Sequence, residues 1–570
     1  MGNRLALIIL IFILALGAFF RFYLITEIPP GLYPDEAMNG NNALEALATG
    51  DFKIFYPENN GREGLFINIQ AISIWLFENA PWALRLVSAI FGTLTILGVY
   101  LLTKELFYQN FKFSILNFKS VSNNSIFKRF IIENHEVMAL LAAFFTATSF
   151  WHINFSRIGF RAIVVPFLAT FGIYFLLKGL RRGKISDIVF AGIFIGLGFH
   201  TYIAFRFVPF VLAVPIFFAL ISWWRGNKDL GSKSCAPCAI VLFLFVIFIV
   251  ALPIGWYFLQ NPADFLGRGG QVSIFADESP AFEFLKSNLA TLGMFFYKGD
   301  CNWRHNFACQ PELHPIVAFF FLIGLLNLVY SFFKKSSFLS PLSSFLLATW
   351  LFFLSLPATL TKEGLPHALR TIGMIPPVMI LSGLGAYAFM HKIIALLEKA
   401  KIKWPEISQK ATRLQREFQF LVIFVLLFLP IFTYRDYILR WSNHPNTYFS
   451  FATDMWHAGQ FLDRLPKETY KYVIVNLSGT EVRGIPTPAQ TVMFATDTFR
   501  EEKRLERNIT YLLPEEINTK INPPDGARVI IMPLNGNDDS TKQKIREKFP
   551  DYEFKAPLDF VIFSNYYRFE

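Results

Sequence analysis

Apolar runs long enough to cross a bilayer as helices recur through the first three quarters of the chain, at 5–25, 82–103, 136–152, 162–180, 186–204, 206–224, 236–259, 314–333, 338–357, 368–390 and 418–438. A shorter run, 65–80, carries Asn68, Gln70 and Ser73, which predicts a helix lying in the interface. With eleven spans, one set of loops (1–4, 104–135, 181–185, 225–234, 334–337, 391–417) holds 21 Lys and Arg in 82 residues, and the other (26–80, 152–161, 205–206, 261–313, 359–370) holds 11 in 132. The basic set belongs inside, so the N-terminus is expected in the cytoplasm and the tail outside the cell membrane. Counting 65–80 as a span would put Arg181, Arg182, Lys184, Lys334 and Lys335 outside, against that rule. Arg21 sits within the first run and no small-residue cleavage site follows it, so an uncleaved span is expected there.

Beyond Trp441 the pattern changes. Helical spacing at Asp454–Leu465, strand-length runs at 472–477 and 528–534, a charged helix at Ser540–Phe549 and a last strand at 560–569 predict a small α/β domain at 439–570 after a membrane domain at 1–438. The charges divide in the same way. The 570 residues carry a net charge of +11, which is +12 on 1–438 (36 basic, 24 acidic) and −1 on 439–570 (17 basic, 18 acidic). The excess therefore reports topology and gives no ground for nucleic-acid binding. Only 17% of residues are charged and 54% are hydrophobic, which excludes a soluble multidomain protein and a disordered chain. The polar insert 111–130 lies in an inside loop and carries no readable chemistry.

Most of the reactive side chains fall in the outside loops. The first loop, 26–64, contains Tyr33-Pro34-Asp35-Glu36-Ala37, with proline where a first helical turn accepts it, two acids suited to a helix N-terminus, and Gly50 as a stop. These features predict a short helix on the membrane surface. Taken locally, the acids are equally well explained as first-turn residues that complement the helix dipole.

The order of a first span, the acidic pair, a surface helix, the turn Asn60-Gly61-Arg62-Glu63-Gly64 and a second interfacial helix resembles the GT-C glycosyltransferases that use polyprenyl-phosphate sugars. The likeness is to the family 39-like branch of protein O-mannosyltransferases and aminoarabinose transferases. Further resemblance lies in 155–161 (FSRIGFR), 299–306 (GDCNWRHN) and 366–370 (PHALR), within a stretch covering residues 1–390. The turn Arg62-Glu63-Gly64 departs from the Lys-Pro of well-known members, so the acceptor type does not carry over.

The resemblance implies an inverting transferase that moves a monosaccharide from a polyprenyl-phosphate carrier to an acceptor hydroxyl or amine on the outer face, the acceptor being a lipid, a glycan or a protein. One carboxylate as base suffices for a single displacement. Asp35 is expected in that role, with Glu36 beside it in the hydrogen-bond network or at the acceptor. Arg62, Arg157, Arg161, Arg304 and Arg370 are available to neutralise the departing phosphate, and Arg304 and Arg370 are favoured because His305 and His367 lie close by in sequence. Headgroup contact or anchoring at a span end is the competing explanation for each arginine, above all for Arg157 and Arg161. Glu63 and Asp300 complete the expected substrate-binding set.

No cofactor is assigned from the sequence, and metal dependence stays open. Glu63, Asp300, His305 and His367 could hold a divalent metal ion, although no spacing among them is diagnostic. Cys301 and Cys309 could form a disulfide in an oxidising compartment, and Cys235 and Cys238 form a C-x-x-C without the βαβ context of a redox motif. The alternative function is a polytopic transporter or lipid flippase. It fits less well, because no internal repeat is present and the charges cluster in outside loops.

Overall fold

The computed structural model describes residues 2–108, 134–225, 235–265, 274–276, 279–334, 336, 338–361, 364–404, 406, 408–557 and 559–566. The insert 111–130, Lys335 and the end of the last expected strand lie outside the described residues. Among those residues, nine helices are long and apolar enough to cross a membrane: Arg4–Phe22, Pro81–Tyr108, Arg161–Arg182, Ile203–Trp224, Ala236–Gln260, Pro315–Phe333, Pro341–Thr359, Ile372–Lys403 and Ser408–Trp441. Two shorter apolar helices, His135–Thr148 and Ile185–Gly198, coincide with the other two expected spans. The helix Gly64–Leu76 presents Ile72, Trp75 and Leu76 outward, as an interfacial element does.

The tail is built on a five-stranded sheet. Two short hairpins, β1 (Phe55–Tyr56) with β2 (Arg62–Glu63) and β4 (Glu481–Val482) with β5 (Ile485–Pro486), stand apart from it. The sheet strands are β3 (Tyr470–Ile474), β6 (Ile509–Leu512), β7 (Val529–Pro533), β8 (Glu553–Lys555) and β9 (Ile562–Ser564). Their order is β6-β3-β7-β9-β8, with β6, β3 and β7 parallel and β9 and β8 antiparallel to their neighbours. Alternate residues feed two cores: Val473, Ile530, Met532 and Ile562 pack on one face, and Tyr472, Ile474, Val529, Ile531 and Phe563 on the other. A sheet buried on both faces produces near-continuous apolar strands, which is why 472–477 and 528–534 were visible as runs. Residues 509–512 and 553–555 are too short to stand out in that way.

The loop 26–64 is enclosed between the membrane part and the tail. The helix Pro34–Thr49 begins at Pro34 and ends where Gly50 adopts φ 76, its N–H bonded to the Ala46 carbonyl. It was expected on the membrane surface, yet Glu36, Asn39, Asn41 and Asn42 are all buried. Asn41 donates to the backbone carbonyl and the side-chain oxygen of Gln490 (3.1 and 2.9 Å), and Thr491 donates to the Leu32 carbonyl (2.8 Å). At Gly40 a Cβ would lie 2.3 Å from the Phe494 ring, so only glycine permits this approach. The asparagines that gave the segment its surface character are therefore hydrogen-bonding groups of an interface.

Candidate active site

Asp35 and Glu36 are adjacent in sequence, but the helical rotation of about 100° per residue sends them to different surroundings. Asp35 is half-buried, accepts a hydrogen bond from the Asn59 amide (2.8 Å) and faces a cavity of about 530 Å³. Glu36 is fully buried. Its carboxylate accepts from Arg85 Nε and Nη2 (3.1 and 3.0 Å) and from the Gly159 N–H (2.6 Å), while Arg85 also donates to the carbonyls of Pro29 (2.6 Å) and Gly31 (2.9 Å). Glu36 is not among the residues lining the cavity, and its carboxylate is held by three donors. What it does is tie the acidic helix to the span Pro81–Tyr108 and to the loop 152–161.

The turn 57–61 holds Asn59 over Asp35. Asn59, Asn60 and Gly61 lie consecutively in the left-handed region (φ 52, 63 and 79), the residue types that tolerate it best, and Gly61 leads into Arg62 on β2. Arg62 donates to Asn39 Oδ1 (2.7 Å) and to Asn42 Oδ1, so two buried amides of the acidic helix aim its guanidinium. Burial, then the neighbouring Arg161 cation, push the Arg62 guanidinium down to about 10.

Arg62, Arg161, Arg206 and Arg370 all line the same cavity as Asp35, together with Glu63 and His367. Arg161 pairs with Glu63 (3.0 Å) and lies over the Tyr202 ring, and Arg370 donates to Thr361 Oγ1. Among the described residues no carboxylate lies within 4 Å of Arg62 or Arg206. The cavity thus combines four guanidiniums with three carboxylates, of which Glu63 is paired with Arg161 and Asp264 accepts from the Tyr257 hydroxyl (2.7 Å), while Phe160, Tyr202, Phe207, Leu356 and Leu360 supply its apolar wall. Such a pocket accepts an anionic head joined to an apolar chain.

The remaining expected residues lie behind this wall. Arg157 is fully buried and donates to the carbonyls of Phe20 (2.9 Å), Leu24 (3.0 Å) and Ile28 (2.8 Å), which closes the end of the first span. Its substrate-binding expectation is corrected, as is the competing idea of an interfacial anchor, because it meets neither the cavity nor the surface. Arg304 stacks on Tyr33, 3.8 Å from the ring centroid, beside the acidic helix and outside the cavity lining. Asp300 joins two loops: its carboxylate accepts from His305 Nδ1 (2.9 Å), from the Asn302 N–H (2.8 Å) and from the Ala368 N–H (2.9 Å). His305 is buried and stacks on His367, and desolvation holds it below its ordinary pKa. Asp300 and His305 therefore touch the cavity only through His367.

Asp300, His305 and His367 present ligand atoms within 4.8 Å of one another, so this trio could hold a divalent ion, with His and carboxylate donors of the kind zinc accepts. Glu63, considered with them in the sequence, belongs instead to the Arg161 pair. Cys301 and Cys309 form a disulfide that closes the same loop, and Cys235 and Cys238 form another at the start of the helix Ala236–Gln260.

Four residues of the site escaped the sequence reading. Arg85 lies inside an apolar span, where an arginine can be read as a snorkelling end group. Arg206 lies on the short 3-10 helix Ile203–Phe207 that opens a span, and the only signal was its position in the set of loops expected outside. Asn39 and Asn59 are neutral amides, which carry no signature until their partners are known.

No protein-family model matches the chain, and no curated protein matches it. Among solved structures, ArnT from Cupriavidus metallidurans in the apo state superposes with a TM-score of 0.55 at 12% identity, covering 98% of this chain and 97% of that one. The same protein bound to undecaprenyl phosphate gives a TM-score of 0.54 at 12% identity and covers 99% of each chain. The oligosaccharyltransferase of Archaeoglobus fulgidus in its apo form gives 0.46 at 14% identity, over 86% of this chain and 64% of that one. The likeness to ArnT spans the membrane part and the tail together. The chain is an α-helical polytopic membrane protein of GT-C fold with a C-terminal sheet region.

Proposed function

We propose that this chain, on the fold it shares with ArnT, is an integral-membrane inverting glycosyltransferase that moves a monosaccharide from a polyprenyl-phosphate carrier to an acceptor hydroxyl or amine at the outer membrane face. The observation that carries the reading is the shared cavity in which Asp35 stands opposite Arg62, Arg161, Arg206 and Arg370. The solved complex of ArnT with undecaprenyl phosphate supports the choice of carrier.

Asp35 acts as the base. It takes the proton of the acceptor as the acceptor's oxygen or nitrogen bonds to the anomeric carbon and the bond from that carbon to the phosphate oxygen breaks. The electron pair leaves with the polyprenyl phosphate, whose growing negative charge the guanidiniums stabilise in a partly desolvated pocket. The Asn59 amide, bonded to one Asp35 oxygen, orients the carboxylate and leaves the other oxygen for the acceptor. Displacement in one step inverts the anomeric centre and needs no second carboxylate, which is consistent with Glu36 being committed to Arg85.

The test is transfer of a radiolabelled sugar from a polyprenyl-phosphate donor by purified protein, comparing wild type with Asp35→Asn. General-base catalysis is worth roughly 10²- to 10⁴-fold, so kcat should fall by that order with folding unchanged. Undiminished turnover in the variant would remove Asp35 from the mechanism.

A further inference from the structure

One side chain of the tail, Arg483, grips two acids of the catalytic loop at once. Arg483 stands at the tip of the β4–β5 hairpin, whose two central residues, Arg483 and Gly484, have φ 53 and 76. Positive φ at both positions is the geometry of a type I′ turn, in which Asn or Gly sits most easily and an arginine is conformationally disfavoured. The guanidinium compensates by what it grips. It lies over the Phe499 ring at 4.3 Å, forms a bidentate pair with Glu45 (2.8 and 2.8 Å), and donates through Nε to Glu58 Oε1 (2.7 Å). Glu45 is on the acidic helix and Glu58 is on the turn that follows β1, so one planar group ties both to the tail.

Glu58 is the inner end of that tie. Its other oxygen accepts from Asn42 (3.1 Å), the amide whose carbonyl oxygen receives Arg62, and its backbone carbonyl accepts from the Gly61 N–H (3.3 Å). The next residue, Asn59, donates to Asp35. A turn of three left-handed residues has few internal bonds with which to hold itself, so its position depends on such outside anchors.

We infer that Arg483 is a positioning residue for the transfer reaction: through Glu58 and Glu45 the tail fixes the turn that sets Asn59 against Asp35 and aims Arg62 at the phosphate. The inference rests on the proposed reaction, and the role it assigns to the tail is to hold the site in register.

The test compares wild type, Arg483→Gln, Arg483→Lys, Glu58→Gln and the control Lys467→Gln, which removes a tail ion pair far along the chain with Glu506. Two readouts are taken on full-length protein in mild detergent: hydrogen exchange of the amides of 58–62, and kcat with its recovery in the conservative variant. In Arg483→Gln, exchange in 58–62 should rise while the strands β3 and β7 stay protected. Misplacement of a base by a fraction of an ångström costs rate steeply, so kcat should fall about tenfold or more. Arg483→Lys, which keeps the charge without the fork, should recover part of the rate, Glu58→Gln should resemble Arg483→Gln, and Lys467→Gln should behave as wild type.

Unchanged exchange in 58–62 overturns the clamp. So does raised exchange with an unaltered kcat in an active enzyme. If Arg483→Gln loses protection throughout the tail, Glu58→Gln, which leaves the tail intact, decides by the same criteria. Should wild type transfer no sugar from any polyprenyl-phosphate donor, the proposed reaction falls, and the exchange readout alone then judges the clamp.

Discussion

The buried Glu36–Arg85 pair is the strongest energetic commitment next to the site, and its removal tests the packing argument directly. Glu36 accepts three hydrogen bonds and Arg85 donates four, two to the carboxylate and one each to the Pro29 and Gly31 carbonyls, with both side chains excluded from water. In Glu36→Gln the shape survives, but one acceptor becomes a donor facing other donors, and the buried guanidinium keeps only neutral carbonyl acceptors with no counter-charge. Breaking one side of such a pair costs about 3–5 kcal/mol, because an uncompensated charge remains. Arg85→Met leaves the opposite charge and should cost a similar amount. The double variant removes both charges and retains only the penalty for orphaned backbone groups, about 1–3 kcal/mol each. It should therefore be more stable than the sum of the single effects by about 2–3 kcal/mol. Reversible unfolding in mixed micelles, followed by tryptophan fluorescence, measures this cycle. Single variants within about 1 kcal/mol of wild type, or a strictly additive double variant, would refute the claim that this pair anchors the loop 26–64.

Three further outcomes follow from the same geometry. Arg62→Gln should weaken donor binding by about 10- to 100-fold, the worth of one charge-assisted hydrogen bond to phosphate, and titration with undecaprenyl phosphate measures it; an unchanged affinity would place the phosphate elsewhere. Replacing Cys301 and Cys309 by serine opens a nine-residue loop and should cost about 2–3 kcal/mol of stability without abolishing transfer, as thermal melts under oxidising and reducing conditions would show. The proposed orientation puts Asn59 outside and Lys399 inside, so a membrane-impermeant thiol reagent applied to intact cells should label Asn59→Cys and not Lys399→Cys; the reverse pattern would invert the topology.

Much of this molecule could be read from its sequence because the bilayer imposes a coarse rule. A helix must present about twenty apolar residues to lipid, whatever its neighbours are, so the spans and the turn from membrane to tail near Trp441 are written locally. The position of Asp35 on a helix opened by Pro34 and closed by Gly50 was legible for the same reason, since proline and glycine punctuate a helix through their own backbone chemistry. The roles within the site were less legible. Asp35 and Glu36 are equivalent in sequence, and Arg62 and Arg157 are both arginines of loops expected outside. Their fates diverged when the fold brought Arg85 to one carboxylate and Asn59 to the other, and when three carbonyls at the end of the first span enclosed Arg157. Arg483 was invisible for a further reason, because its partners Glu45 and Glu58 lie more than four hundred positions away. Sequence alone determined what hydrophobic burial and backbone propensity decide residue by residue. Tertiary structure decided which charge meets which partner, since the energy of an ion or a hydrogen bond depends on neighbours within a few ångströms that only folding supplies.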